Sequence, residues 1–216
     1  MMKICLAGKM ASGKTLLAQH FLDNYGGKKV SFADKLKEDV IDYNLTIDGQ
    51  IVKSRDRKLL QNYGQFRRGE LPRMEIPETN IILINENGHF VLTWKDDDSM
   101  GLYIGPCEAN HWINQGILKA NEIIQSGENV ILDDLRFVNE GECLKENGFI
   151  IIKVNANQSI REERLLARDG SFNPDNFNDV SETQLDNIIG HYDITNNHND
   201  DSAKKQFDEI VALIKN

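Results

Sequence analysis

The chain has 216 residues, of which 40% are hydrophobic and 27% charged, a composition typical of one soluble globular domain. Its net charge of −9 argues against a nucleic-acid partner, because proteins that bind nucleic acid usually present a basic face. No apolar run approaches the ~20 residues that a membrane span needs. We therefore expect no membrane partner and a cytoplasmic location.

The first predicted elements alternate between strand and helix. Residues 3–7 form an apolar run that predicts a buried strand, and a helix starts at Gly13 and ends at Gly26. The pattern then predicts a strand at 29–32, a helix at about 35–43, and a helix capped by Ser54 that runs through Arg68. These are the opening steps of a parallel sheet.

The segment at about 70–110 has a different pattern. Two β-type runs, 81–84 and 90–94, are separated by a turn-forming stretch, which predicts a hairpin. Acidic residues at 96–98 and Pro106 follow. We interpret this segment as a small insertion in a single domain whose core is about 1–69 and 111–216.

The remaining pattern completes an α/β fold. It predicts a helix at 111–125, strands at 129–133 and 149–154, and a final helix at 202–215. Four or five β-α units with apolar strands favour a three-layer fold around a parallel sheet.

The segment between the first strand and the first helix carries the most specific motif. It reads Gly-x4-Gly-Lys-Thr over residues 8–15, which is the phosphate-binding loop, or P-loop, pattern. Lys14 can reach the β- and γ-phosphates of ATP, and the Thr15 hydroxyl can ligate Mg²⁺. The expected ATP contacts are Gly8, Ala11, Ser12, Gly13, Lys14 and Thr15. The alternative is a glycine-rich turn without a ligand. The motif predicts a P-loop NTPase fold with ATP and Mg²⁺ as cofactors.

Acids and arginines elsewhere extend this site. Asp133 and Asp134 end an apolar strand, where an acid can hold a Mg²⁺-bound water, and we prefer Asp133 for the metal. All nine arginines fall in three segments, 55–73, Arg136 alone, and 161–168. Arginine suits phosphate recognition, so these segments predict parts of one phosphate site. For any one arginine, a solvated helix face is the alternative.

Five motifs, in order, resemble the deoxynucleoside monophosphate kinases of tailed phages and some bacteria. They are GKMASGKT at 8–15, SFADKLK at 31–37, LLQNYG at 59–64, DLRFVNE at 134–140 and VSE at 180–182. The chain departs from the family at Gln65, where Thr is frequent, and at Asp179, where His is frequent. Residues 70–110 do not align with the family.

The resemblance implies a site for a nucleoside monophosphate. Arg136 would contact its phosphate, although an ion pair with Asp133 or Glu140 is the alternative. A lid at about 158–182 would close over the phosphates. Of its arginines, Arg161, Arg164 and Arg168, which share one helix face, we favour the last two as catalytic groups beside Lys14 and Arg136.

Further substrate-binding candidates lie in the first half of the chain and at the last motif. They are Asp34, Lys37, Gln61, Arg67, Arg68, Trp112 and Glu182. Asp34 could merely cap a helix, and Trp112 could be core packing in place of a base-stacking group. The three cysteines and five histidines show no metal-ligand spacing.

The predicted reaction is transfer of the γ-phosphoryl group of ATP to a (deoxy)nucleoside monophosphate. The attacking phosphate oxygen is already ionised, so positioning and charge stabilisation suffice and no strong base is needed. The alternatives are a P-loop kinase of another small acceptor, such as dephospho-coenzyme A, a nucleoside or phosphomevalonate, and a non-catalytic ATP-binding module. For a hydroxyl acceptor, Asp34 would be the base. The resemblance also suggests a homodimer and, if the chain is viral, the host cytoplasm as its location.

Overall fold

The computed structural model describes residues 1–42, 46–47, 50–51, 57–76, 81–94, 97–198 and 200–215. They form two compact units: Met1–Ser31 with Ile117–Asn216, called unit 1, and Phe32–Gly116, called unit 2. Among the described residues, no helix is long and apolar enough to cross a membrane. The predicted insertion at about 70–110 falls within unit 2.

The strands, in chain order, are β1 Lys3–Ala7, β2 Lys28–Val30, β3 Thr46–Ile47, β4 Gln50–Ile51, β5 Arg73–Glu75, β6 Ile81–Glu86, β7 His89–Trp94, β8 Asp97–Pro106, β9 Val130–Leu135, β10 Ile150–Asn155 and β11 Tyr192–Thr195. The helices are α1 Lys14–Tyr25, α2 Phe32–Asp42, α3 Arg57–Arg67, α4 His111–Gln125, α5 Val138–Glu146, α6 Gln158–Asp169, α7 Val180–Thr183 and α8 Ser202–Lys215. Short 3-10 helices lie at Pro174–Asn178 and Gln184–Asn187.

Unit 1 is built on a five-stranded sheet in the order β11-β10-β1-β9-β2. Every neighbouring pair is parallel, with Leu6 of β1 opposite Ile152 of β10 and Cys5 opposite Leu132 of β9. Strands buried on both faces need continuous apolar runs, which is what the sequence of β1 shows. The predicted α/β fold with a parallel sheet is confirmed. Because the strands are parallel, their carboxyl ends share one edge of the sheet.

The core of unit 1 joins this sheet to α1 and α8. Leu6 of β1 and Phe21 of α1 are fully buried, as is Phe207 of α8. The rings of Phe21 and Phe207 meet edge to face, with centroids 6.2 Å apart. This packing fixes the start of α1, where the P-loop ends.

Unit 2 contains a four-stranded antiparallel sheet in the order β5-β6-β7-β8. The predicted hairpin is confirmed as β6 and β7, joined by the two-residue turn Asn87-Gly88. The sheet is larger than predicted, because β5 and β8 flank the hairpin. Beneath it, the buried ring of Phe90 contacts Phe66 of α3 at a centroid distance of 5.3 Å.

Several boundaries differ from the sequence prediction. The second strand ends at Val30, and Phe32, predicted to close that strand, is the first residue of α2. The Phe32 side chain is buried, but in a helix. Its hydrophobicity therefore predicted burial correctly and the type of secondary structure wrongly. β11 and α5 were not predicted. The proposed cap Ser54 and the acidic Asp96 lie outside the described residues.

Truncation of the buried ring in α8 should destabilise unit 1. Phe207→Ala removes a fully buried side chain, so the free energy of unfolding should fall by about 3–5 kcal/mol. Leu213→Ala on the same helix, where 62% of the leucine is exposed, is the matched control and should change it by less than about 1 kcal/mol. Urea unfolding followed by circular dichroism measures both. Equal losses in the two variants would contradict this account of the core.

Candidate functional site

The P-loop is held tightly against the sheet. Gly8 has a φ of +158°, and a Cβ there would collide with the carbonyl oxygen of Val154 in β10. Gly13 has a φ of +103°, and a Cβ there would collide with the side-chain amide of Asn196. A side chain at either position would therefore push the loop away from its supports.

Asn196, immediately after β11, ties the loop to α6. Its side-chain amide donates to the Ser12 carbonyl oxygen at 2.8 Å, and its Oδ1 accepts from Arg164 at 3.2 Å. Arg164 also donates to the carbonyl oxygen of Ala11, which has a left-handed φ of +59°. The predicted catalytic Arg164 thus braces the loop from outside.

Lys14 is the first residue of α1, and its ammonium turns back onto the loop. It donates to the carbonyl oxygens of Gly8 and Lys9, the latter at 3.1 Å. Burial lowers the pKa of Lys14 to about 8, an effect that nearby Glu182 opposes and Arg136 reinforces. Gly13, which precedes α1, provides no side-chain cap, so the first backbone N–H groups of the helix can donate to an anion.

Glu182 lies against the backbone of the loop. Its carboxylate accepts from the Met10 N–H at 2.7 Å, and the residue is only 3% exposed. Its predicted contact with a substrate stays a prediction. In this structure its carboxylate holds the P-loop backbone at Met10 and favours the charged form of Lys14.

The oxygen groups predicted for Mg²⁺ lie together. The Thr15 hydroxyl donates to Asp133 Oδ2 at 3.3 Å, which joins the start of α1 to the end of β9. The same carboxylate oxygen accepts from the Lys29 ammonium at 2.7 Å, whereas Asp134 accepts from the Ser31 hydroxyl at 2.6 Å. The described residues contain no group of three or more His, Cys, Asp or Glu side chains that could hold a metal by themselves. A hydroxyl and a carboxylate fit Mg²⁺ that is brought in by phosphates.

Arg136 is exposed just after β9, and Glu140 shapes the backbone there. The Glu140 carboxylate accepts from the N–H groups of Arg136 at 2.8 Å and Phe137 at 3.0 Å. Burial raises the pKa of Glu140 to about 7, although these two hydrogen bonds oppose the shift. The turn therefore presents the Arg136 side chain at the carboxyl edge of the sheet.

The three arginines of α6 have different surroundings. Arg161 is 5% exposed, with its guanidinium 4.8 Å from the ring centroid of Phe177. Arg164 contacts the loop, as described above. Arg168 is exposed and pairs with Asp169 at 2.6 Å. Their spacings of three and four residues along α6 therefore do not reveal that the three side chains have different environments.

The candidates at the start of α2 and on α3 differ in accessibility. Asp34 and Lys37 are exposed on α2. The side chain of Gln61 lies outside what the structure describes. Arg68 forms a two-point ion pair with Glu70, with contacts of 2.5 and 3.0 Å. Their roles in binding a substrate stay predictions.

Arg67 and Trp112 belong to a buried cluster of unit 2. Arg67 is 5% exposed and contacts His111 Nε2 at 3.0 Å and the ring of Phe90 at 5.0 Å. Trp112 is 6% exposed, and its indole N–H donates to the Gly64 carbonyl oxygen at 3.1 Å. Both side chains pack here, and base stacking by Trp112 would require the indole to be uncovered.

The fold and the loop define a P-loop protein of the kinase fold. A solved structure of TT1252 from Thermus thermophilus has a TM-score of 0.56 at 11% identity and covers 99% of this chain and 98% of its own. A sugar kinase from Janibacter sp. HTCC2649 has a TM-score of 0.51 at 13% identity and covers 100% of this chain and 95% of its own. At these identities the likeness shows the fold alone.

A curated protein provides a match in sequence. The chain is 28% identical over 157 residues, 72% of its length, to the "Putative deoxynucleotide monophosphate kinase" of Acanthamoeba polyphaga mimivirus, and this match covers 74% of the viral protein. No family model matches the chain. The resemblance indicated by the five motifs is thereby confirmed, and a phosphotransfer function is supported.

Sequence reasoning missed Asn196 and Lys29 and set Arg161 aside. Asn196 directly follows β11, an edge strand in which only Ile194 is buried. Recognising that strand would have placed Asn196 at the sheet edge, where polar residues after parallel strands lie. Lys29 is recognisable only once β2 is seen beside β9. Arg161 is distinguished from its neighbours by burial alone.

The lowered pKa of Lys14 predicts a pH-dependent affinity for ATP. Phosphate binding requires the charged ammonium, so affinity should fall as pH rises above about 8, and binding there should take up a proton. Lys14→Arg, which stays charged, should lack this fall. Calorimetric titrations in buffers of different ionisation enthalpy measure proton uptake. An affinity of the native protein that is flat from pH 7 to 9.5 would contradict the assignment.

The raised pKa of Glu140 predicts a cost in stability at high pH. The folded state holds this proton more tightly than the unfolded chain, so the stabilisation is complete below pH 4.5 and is lost as pH rises through about 7. Glu140→Gln keeps an acceptor oxygen, so the melting temperature relative to the native protein should be higher at pH 8 than at pH 5. Glu142→Gln, on the exposed side of α5, is the control and should show no such difference.

Proposed function

We propose that the protein transfers the terminal phosphoryl group of ATP to a deoxynucleoside monophosphate, giving ADP and the diphosphate. The observation that carries the proposal is the meeting of Lys14, Thr15 and Asp133 at the carboxyl edge of the sheet. The name of the viral relative supports the acceptor class.

The triphosphate of ATP would lie in the P-loop at the start of α1. The uncapped N–H groups of the helix and the Lys14 ammonium both favour negative charge there. On binding, Lys14 would exchange its two carbonyl partners within the loop for phosphate oxygens. The internal partners hold the ammonium in place beforehand, which lowers the ordering cost of binding.

The base of ATP would occupy a cavity of about 430 Å³ beside the end of the loop. Its wall includes Gly13, the exposed Leu16, Arg164 and His198. Leu16 offers an apolar face, and a guanidinium plane can stack on a purine. Asn196, which also lines the cavity, positions Arg164 for that contact.

Mg²⁺ bound with ATP would be held by the Thr15 hydroxyl and, through a water molecule, by Asp133. Its charge would neutralise the phosphates during transfer. Lys29 already pairs with Asp133 at 2.7 Å, so this carboxylate is held in place on one side. Asp133 is 9% exposed, so its charge would act on the Mg²⁺ ion with little screening by bulk water.

The acceptor phosphate would be bound by Arg136. Its exposed side chain projects from the turn that Glu140 fixes, at the sheet edge where the loop also lies. An ionised phosphate oxygen attacks the γ-phosphorus, and the bond to the bridging oxygen of ADP breaks. No proton transfer is needed, so Arg136 acts by positioning and by stabilising charge.

An ADP-release assay over a panel of ribo- and deoxynucleoside monophosphates tests the proposal. Lys14→Ala should lower kcat by roughly 100- to 1,000-fold with every acceptor. Arg136→Gln should raise the KM for the monophosphate by roughly tenfold or more and leave the KM for ATP unchanged. Lys119→Gln, on the exposed face of α4, is the matched charge control.

Two outcomes would redirect the proposal. If no monophosphate stimulates ADP release above the Lys14→Ala background, the proposed acceptor class is wrong. If instead a hydroxyl compound stimulates release and Asp34→Asn abolishes it without affecting ATP binding, the protein is a kinase of a hydroxyl acceptor.

A further inference from the structure

A second cavity, of about 300 Å³, lies where β10 and β11 end, beside the start of the P-loop. The first two loop residues, Gly8 and Lys9, form part of its wall, whereas Lys14 and Thr15 do not. The remaining lining is Lys153, Val154, Asn155, Ala156, Asn157, Arg161, Leu185, Asp186, Thr195 and Asn197. The cavity therefore adjoins the proposed cradle for ATP and shares Gly8 with it.

Arg161 is the buried charge of this cavity. The residue is 5% exposed, and its Nε and Nη1 atoms are buried without a hydrogen-bond partner among the described residues. The ring of Phe177, 4.8 Å from the guanidinium, provides one cation-π contact. A buried cation without a paired anion is costly, so the fold holds Arg161 ready for a negatively charged partner.

The N-terminus of α6 meets the same cavity. Asn157, the residue before this 12-residue helix, lines the cavity and makes no side-chain cap, and the first turn carries no acid. The first backbone N–H groups of a helix need acceptors, and the helix dipole favours an anion there. A helix N-terminus and a buried guanidinium thus call for the same kind of ligand.

The charges at the wall agree with an anionic ligand. Three basic side chains, Lys9, Lys153 and Arg161, face one acid, Asp186, on a chain whose net charge is −9. Lys9 pairs with Asp186 at 2.8 Å, and Lys153 donates to the carbonyl oxygens of Asp186 and Ile188. Those two lysines already have partners, so Arg161 is the group that the ligand would satisfy.

We propose that this cavity is an oxyanion site for a phosphate group, bound by Arg161 and the first N–H groups of α6. A tetrahedral dianion can accept from the planar guanidinium and from helix N–H groups together. The phosphate has two possible sources, free inorganic phosphate or the terminal phosphate of a nucleotide in the P-loop. Phosphate binding in this cavity does not depend on which acceptor the protein phosphorylates.

Titration of the full chain with inorganic phosphate tests the site. The P-loop is first filled with ADP and Mg²⁺, and binding is followed by ³¹P line width and by the melting temperature against chloride at equal ionic strength. Arg161→Gln should weaken phosphate binding by about ten- to a hundred-fold, because a charge-assisted hydrogen bond is lost. Lys119→Gln removes an exposed charge from α4 and should bind phosphate as the native protein does.

A parallel titration with a non-hydrolysable ATP analogue in the loop separates the two sources. If the site takes free phosphate, the response persists. If it takes the terminal phosphate of the nucleotide, the response disappears, and Arg161→Gln weakens binding of the analogue but not of ADP. Either result supports the site, and neither requires turnover, so the proposed kinase reaction can fail while the site stands.

Three results would overturn the proposal. They are no phosphate response in the native protein with ADP, an undiminished response in Arg161→Gln, or an equal loss in Lys119→Gln. If Arg161→Gln does not fold, Arg161→Met replaces it, because a neutral chain of similar length removes the buried charge. A crystal structure with ADP and phosphate decides without a variant, since the anion must lie within hydrogen-bond distance of the Arg161 guanidinium.

Discussion

The contact between Gly8 and the carbonyl oxygen of Val154 constrains the rest of the site. It brings the P-loop so close to the end of β10 that no side chain fits between them. The loop must therefore turn at once into α1, where Lys14 and Thr15 follow. β9, on the other side of β1, then places Asp133 opposite Thr15. The two strands that flank β1, namely β10 and β9, thus determine both sides of the phosphate cradle.

The acids near the cradle are all engaged before any nucleotide binds. Asp133 pairs with Lys29, Asp134 accepts from Ser31, and Glu182 accepts from Met10. These contacts give each carboxylate a donor partner and so offset part of its negative charge. An acidic chain can in this way hold a site for an acidic ligand, because local geometry outweighs net charge over a few ångströms.

The sequence was most informative where a local pattern determines the structure. Loop, strand and helix at residues 3–25 follow from apolar runs and glycines close together in the chain, and α8 was placed to the residue. The contact of Asn196 with Ser12 spans 184 positions and depends on β11 lying beside β10. Arg161, Arg164 and Arg168 are spaced three and four residues apart along one helix face, yet only tertiary packing decides which one is buried. Local patterns therefore predicted the ATP-binding part of the site, whereas contacts between residues far apart in the chain complete it.

The cations around the loop differ in what an incoming anion must displace. Lys14 already donates to two carbonyl oxygens and Lys9 to Asp186, so a phosphate that binds them first breaks existing hydrogen bonds. For Arg161, no described residue accepts from Nε or Nη1, so nothing has to be displaced. An exchange of partners yields a modest net gain, whereas satisfying a buried donor recovers its full desolvation cost. We therefore expect each contact with an anion to contribute more binding free energy at Arg161 than at Lys14 or Lys9. Helical spacing alone could not distinguish Arg161 from the other arginines of α6.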